Sequence, residues 1–161
     1  MKSVLKVFLL VAVCLGLLCG CSATPQEFSK DGVSITLTSQ FEELTQEGCV
    51  AVYGSRSEAV MIQKEEFSML AEIGINENST VEDYANAVIE ANGLSDSTVE
   101  ERDGIVCFTY TAKSGMKTYA YLATAHKTED AFWLIQFSTT DKKFEEKEAS
   151  FLSFAKSIVL S

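Results

Sequence analysis

The run FWLIQFS, Phe132 to Ser138, carries large apolar side chains on both of its alternating sets. Successive side chains of a strand point to opposite faces, so such a run is stable in a sheet only where both faces are covered. The run IVCFTYTA, Ile105 to Ala112, has the same character. A chain with two strands of this kind needs a sheet in the middle and a layer on each side of it.

The rest of the sequence supplies those layers. In DGVSITLT the residues Val33, Ile35 and Leu37 alternate with Ser34, Thr36 and Thr38, the period of a half-buried strand. CVAVYGSRSEAVMIQKE reads as a hairpin around Gly54-Ser55-Arg56-Ser57. In NSTVEDYANAVIEANG the period changes: Val81, Tyr84, Ala85, Val88 and Ile89 share one helical face. Ser79 with Glu82 forms a candidate capping box there, and Gly93 is a stop. Asp103-Gly104, Ser114-Gly115 and the polar HKTED then divide four apolar runs into a meander. The closing TDKKFEEKEASFLSFAKSIVLS predicts a helix capped by Thr140 or Asp141, with Phe144, Phe151, Leu152, Ala155, Ile158 and Val159 on its apolar face. The expected fold class is α+β, an antiparallel sheet with helices packed on its faces, in the order strand, hairpin, helix, meander, helix.

The first residues read as an address. Lys2 and Lys6 precede an apolar run of 14 residues from Val7 to Gly20, short of the roughly 20 that a membrane span needs and typical of a secretory signal. Leu18-Cys19-Gly20-Cys21 resembles the bacterial lipobox, with Leu at minus three and a small residue at minus one. Cys14 and Cys19 lack that frame, since Val13 and Leu18 stand where the small residue belongs. The resemblance implies diacylglyceryl transfer to Cys21 and cleavage between Gly20 and Cys21. The expected organisation is a lipoprotein signal peptide over residues 1–20, the lipidated cysteine and a flexible tether over 21–30, and one domain over 31–161. This places the protein on the outer side of a bacterial cell membrane, held through lipid on Cys21.

Loss of residues 1–20 removes both lysines and no acid. The net charge falls from −10 to −12, with 11 basic and 23 acidic side chains. Such a domain repels nucleic-acid phosphate and the anionic headgroups it is tethered beside, so it is expected to stand off the bilayer rather than lie on it. Cys49 and Cys107 are the thiols left after Cys21. Their number and an exported setting allow a disulfide, while their apolar, strand-like surroundings favour reduced thiols that act as small hydrophobes.

No arrangement for catalysis stands out. His126 is the single histidine and falls in the polar HKTED, where the expectation is a solvated turn. A triad would have this one base, and a multi-histidine zinc site is excluded. YGSRS is no nucleophile elbow, and no Gly-rich phosphate loop or Asp-x-Asp calcium loop is present. The acidic pairs Glu42-Glu43, Glu65-Glu66, Glu100-Glu101 and Glu145-Glu146 read as solvated faces and turns. No cofactor and no resident metal are expected.

One aromatic feature remains. Tyr119, Tyr121, Ala123 and Ala125 share a strand face, with Tyr110 on the preceding strand. Phenols beside small residues can border a ligand pocket with hydroxyls aimed inward, or form a core under a helix. Core is the favoured expectation, and Tyr110, Tyr119 and Tyr121 are the candidate ligand-binding residues of the alternative.

The element order, with GVSITLT near the start, a helix opening STVEDYA and the closing FWLIQFSTTDKKFEEKEASFLSFAKSIVL, resembles the Mog1/PsbP-like proteins, a group that includes DcrB-like bacterial lipoproteins. The resemblance spans about residues 28–160. It implies a sandwich of that type and a binding or assembly role rather than catalysis, and it assigns no functional residue here. The expected function is a non-catalytic, membrane-anchored module that engages an envelope protein. A small-ligand carrier with its pocket at the tyrosine face is the alternative, and an enzyme using carboxylates alone is less favoured.

Overall fold

The computed structural model describes residues 23–161, so the signal segment, Gly20 and Cys21 lie outside the described residues. In chain order the strands are β1 Pro25–Lys30, β2 Val33–Thr38, β3 Glu42–Leu44, β4 Ala51–Gly54 and β5 Glu58–Glu66, then β6 Glu100–Arg102, β7 Ile105–Ser114, β8 Lys117–Lys127, β9 Ala131–Thr140 and β10 Val159–Leu160. The helices are α1 Phe67–Leu70, α2 Val81–Ala91 and α3 Asp141–Lys156. Seven strands form one antiparallel sheet in the order β3-β4-β5-β9-β8-β7-β6, and β1-β2-β10 form a second, smaller one.

β9 contains the FWLIQFS run, lies in the middle of the large sheet, and every residue in it except Thr140 is buried. On one face Phe132 and Leu134 pack with Met61, Phe108, Tyr84 and Val88 beneath α1 and α2. On the other, Trp133, Ile135 and Phe137 pack with Val60, Leu122 and Phe151 of α3, and with Val33, Ile35 and Leu37 of β2. The second face is thus covered partly by a helix and partly by the small sheet. The fold is α+β with helices on both faces of an antiparallel sheet, as the patterning predicts.

Several boundaries differ from the sequence reading. Residues 25–30 form a paired strand, not a flexible coil: β1 lies against β2 from Pro25↔Thr38 to Lys30↔Val33. Asp31 and Gly32 join them with φ of 44° and 89°, the primed turn that suits a two-residue hairpin. A side chain at Gly32 would also meet the Ser161 carbonyl oxygen, 2.8 Å from the position of a Cβ. The cap of α2 is Thr80 rather than Ser79: Asp83 N donates to Thr80 Oγ1 at 3.0 Å and Thr80 N donates to Asp83 Oδ2 at 2.8 Å. Ser79 is already used, its hydroxyl accepting from Asn76 N. α3 stops at Lys156, because the Ser157 hydroxyl turns back to Phe154 O and accepts from Thr36 N of β2. Ile158 and Val159 therefore leave the helix, and Val159 is exposed beside β2 instead of lying on a helical apolar face.

The two thiols pack on opposite sides of the large sheet, Cys49 against the α2 side and Cys107 in the α3 side. Both are unbridged, and burial pushes each thiol pKa up. Cys49 and Cys107 should therefore remain unlinked in the native protein, and Cys107 should take up alkylating reagent slowly until denaturant is added. A linked peptide pair in the native digest would contradict this geometry.

Candidate functional site

α2, β7 and β8 place the tyrosines. Tyr110 and Tyr121 are direct cross-strand neighbours, and their rings stack at 4.6 Å with planes 2° apart. Both are buried, and Tyr119 is half-buried against the same cluster. The Tyr110 hydroxyl donates to Gln136 Oε1, and Gln136 Nε2 donates to Gln63 Oε1 at 2.9 Å. Burial pushes the Tyr110 phenol well up and the Tyr121 phenol to about 12, so both stay protonated as donors. This is a packed face pinned by a polar chain across β7, β9 and β5.

None of the three tyrosines lines either of two cavities on the surface. One, about 460 Å³, is bordered by the exposed carboxylates Glu82, Glu100 and Glu101 with Asn86 and Ser97. The other, about 320 Å³, lies where Ile105 and Val106 of β7 and Ala125, His126 and Lys127 of β8 meet Val81 of α2 and Ile158 and Leu160 of the C-terminal segment. The second is the better candidate, since it joins apolar walls to two polar side chains, the composition of ligand sites.

His126 corrects the expectation of a solvated turn. The hairpin loop is only residues 128–130, β8 continues through Lys127, and His126 sits half-buried opposite Trp133. Its Nε2 lies 3.0 Å from Thr124 Oγ1, and burial lowers its pKa to about 4, so the imidazole is neutral at neutral pH. Lys127 is committed as well: Nζ donates to the carbonyls of Glu77 and Ser79 at 2.6 and 2.8 Å and lies 5.3 Å from the Phe132 ring centre. The groove therefore presents a neutral imidazole and aliphatic walls. The contact of its imidazole among the described residues is with the Thr124 hydroxyl. Among the described residues no group of three or more His, Cys, Asp or Glu side chains is placed to hold a metal ion.

Glu65 corrects the expectation that the Glu65-Glu66 pair is solvated: it is buried in β5 near this end, with Glu66 exposed beside it. Glu65 of β5 accepts from the Tyr84 hydroxyl at 2.5 Å, and Tyr84 stacks on Phe132 at 4.6 Å. Burial raises the Glu65 pKa while the phenol bond pulls it back. The row Lys127, Phe132, Glu65 across β8, β9 and β5 thus clasps the segment from Glu77 to Tyr84 onto the sheet.

This arrangement of a two-face-covered antiparallel sheet, helix α2 on one side and a C-terminal helix on the other, is the PsbP/Mog1-like fold. The solution structure of cyanobacterial PsbP (CyanoP) from Synechocystis sp. PCC 6803 superposes with a TM-score of 0.56 at 16% identity, over 91% of this chain and 99% of that one. The Ran-binding protein Mog1p of Saccharomyces cerevisiae gives 0.55 at 8% identity, over 86% and 96%. A Bacteroides thetaiotaomicron protein gives 0.54 at 10% identity over 80% of this chain, which spans 45% of that protein. No family model matches the chain, and no curated protein matches it in sequence.

Two stability measurements follow from this geometry. Tyr121→Ala should cost about 3–5 kcal/mol, the range for removing a buried ring. Tyr110→Phe should cost about 1–3 kcal/mol by stranding Gln136 Oε1, and Tyr121→Phe should be near neutral; denaturant unfolding measures all three. For His126, the unfolded chain binds a proton near pH 6.5 and the folded chain near 4. Its contribution is thus complete above 6.5 and is lost as pH falls to 4, on the order of 2–3 kcal/mol. His126→Leu should remove that part of the acid sensitivity, seen as a smaller fall in unfolding midpoint over this window.

Proposed function

We propose that this chain is a lipid-anchored bacterial envelope protein of the DcrB-like kind, whose domain binds or helps assemble another envelope component and performs no catalysis. The observation that carries the reading is a register: two lysines, 14 apolar residues, then Leu18 and Gly20 at minus three and minus one from Cys21. Two acyl chains on Cys21 would hold the domain where one would bind only marginally.

The fold supports a close tether. β1 opens at Pro25 and Thr24 is already bonded to Ser39, its carbonyl accepting from Ser39 N at 2.7 Å. Between Cys21 and Pro25 the chain can reach at most about 14 Å, far less freedom than a coil running to Lys30. A binding role is also supported by one neighbour of the same fold, Mog1p, which is described as Ran-binding. A second reading is favoured by the groove at His126: its 320 Å³ and its mixture of Ile105, Ile158 and Leu160 with a neutral imidazole suit a small amphipathic ligand.

The anchor is tested by acyl labelling in a bacterial host. Cys21→Ala should abolish labelling and leave a larger precursor, whereas Cys19→Ala should be processed normally. Loss of labelling on Cys19→Ala would sink the reading. Co-purified small molecules that disappear with Ile105→Asp would move the role from assembly to ligand carriage.

A further inference from the structure

The cations of this acidic domain are unevenly committed. Lys30, Lys64, Arg102, Lys147 and Lys156 are in ion pairs, and Lys127 is held by two carbonyls. The remaining basic side chains of the described residues, Arg56, Lys113, Lys117, Lys142 and Lys143, are exposed and in no ion pair among the described residues. All five lie at one end of the large sheet. Glu58, Thr139, Ala120 and Thr111 form a row across β5, β9, β8 and β7. Arg56 is in the turn just past that row, Lys113 and Lys117 flank the tip of the β7–β8 hairpin beyond it, and Lys142 and Lys143 are in the first turn of α3, directly after Thr140.

Between the two hairpin lysines stands Met116, the most exposed large apolar side chain of the described residues. Five acids share this end, set back from the hairpin tip. Glu58 is paired with Lys147 at 2.7 Å, Asp141 accepts from the Lys142 backbone, Glu42 sits opposite Gly54, and Glu145 and Glu146 follow on the next turn of α3. Solvated cations around an exposed methionine are complementary to a bilayer, where ammonium groups meet phosphate and the thioether enters the apolar boundary.

We propose that this end of the sheet docks on an anionic lipid bilayer, with Arg56, Lys113, Lys117, Lys142 and Lys143 on lipid phosphates and Met116 below them. The proposal rests on the lipid-anchor reading, and the tether leaves on a compatible side. Thr24 is bonded to Ser39, three residues before Glu42, and Glu42 pairs with Gly54, two residues from Arg56. That path is at most about 30 Å long. Such docking reverses the expectation that the domain stands off the bilayer: its net charge repels an anionic surface, while its unpaired cations are gathered at this end.

The test uses the full chain purified from a bacterial host and reconstituted in phosphatidylcholine vesicles, with or without about one-third phosphatidylglycerol. Amine acylation is read by mass at each lysine. Lys113, Lys117, Lys142 and Lys143 should be protected about fivefold or more in the anionic vesicles, with Lys30 and Lys156 unchanged, and 1 M salt should remove the protection. Lys113→Gln with Lys117→Gln should weaken docking about 30-fold without changing the unfolding midpoint. Equal labelling in the two vesicle types overturns the proposal. So does protection that appears only in native, protein-containing membranes, which would assign this end to a protein. The mass of the N-terminal peptide is read first: an unacylated Cys21 defeats the anchor alone, and sedimentation of that protein with the same vesicles then decides the docking surface.

Discussion

Ladder bonds from β9 to β5 on one side and β8 on the other set both halves of this domain at once. Trp133, Ile135 and Phe137 present one apolar ridge, and Phe132 and Leu134 present another. Each fully buried large side chain is worth about 1.5–3 kcal/mol of transfer free energy, and the two ridges are reached by different layers. α1 and α2 fold over one, while α3 and β2 fold over the other. Gln136 is the largest polar side chain buried on the strand, and it is satisfied on both ends by Tyr110 and Gln63. A slip of one residue in β9 would exchange the two ridges and strand that amide, so register is strongly specified.

The centre of the fold is legible because its signals are redundant. β7, β8 and β9 are long, rich in β-branched and aromatic residues, and separated by Gly or polar turns, so period and punctuation agree. The margins are not legible for a physical reason. β1 is an edge strand of which Phe28 and Lys30 alone are even half-buried, so PQEFSK has the polarity of coil. β3 is three exposed residues, and β10 is two residues of which Val159 is exposed. Each forms because a neighbour offers unpaired backbone groups, which leaves no mark on its own composition. His126 was hidden in the same way: polar lettering suggests a turn, but pairing with Trp133 carries the strand two residues further.

The candidate sites divide along the same line. Tyr110, Tyr119 and Tyr121 stand out in the sequence, and geometry joins them into a packed face. The groove at His126 was not readable, because it combines Val81, Ile105, His126 and Leu160, four residues brought together from distant parts of the chain. The segregation of unpaired lysines was hidden likewise. Composition shows a strongly acidic domain, and the ion pairs, not the count, decide which cations remain available.

Both ends of the domain are fastened to the same strand. β2 takes β1 on one edge and β10 on the other, Ser157 bonds the backbone at Thr36, and the last residue, Ser161, donates its backbone N–H to Gly32 O. β1 and β2 are adjacent in sequence, yet the segment that closes this layer, Ser157 to Ser161, lies about 120 positions further along the chain. Without that distant segment, Val33, Ile35 and Leu37 can find β1 but not the α3 and β10 contacts that complete their cover. A chain clipped ahead of Ser157 therefore carries an open seam along β2 that the intact domain does not.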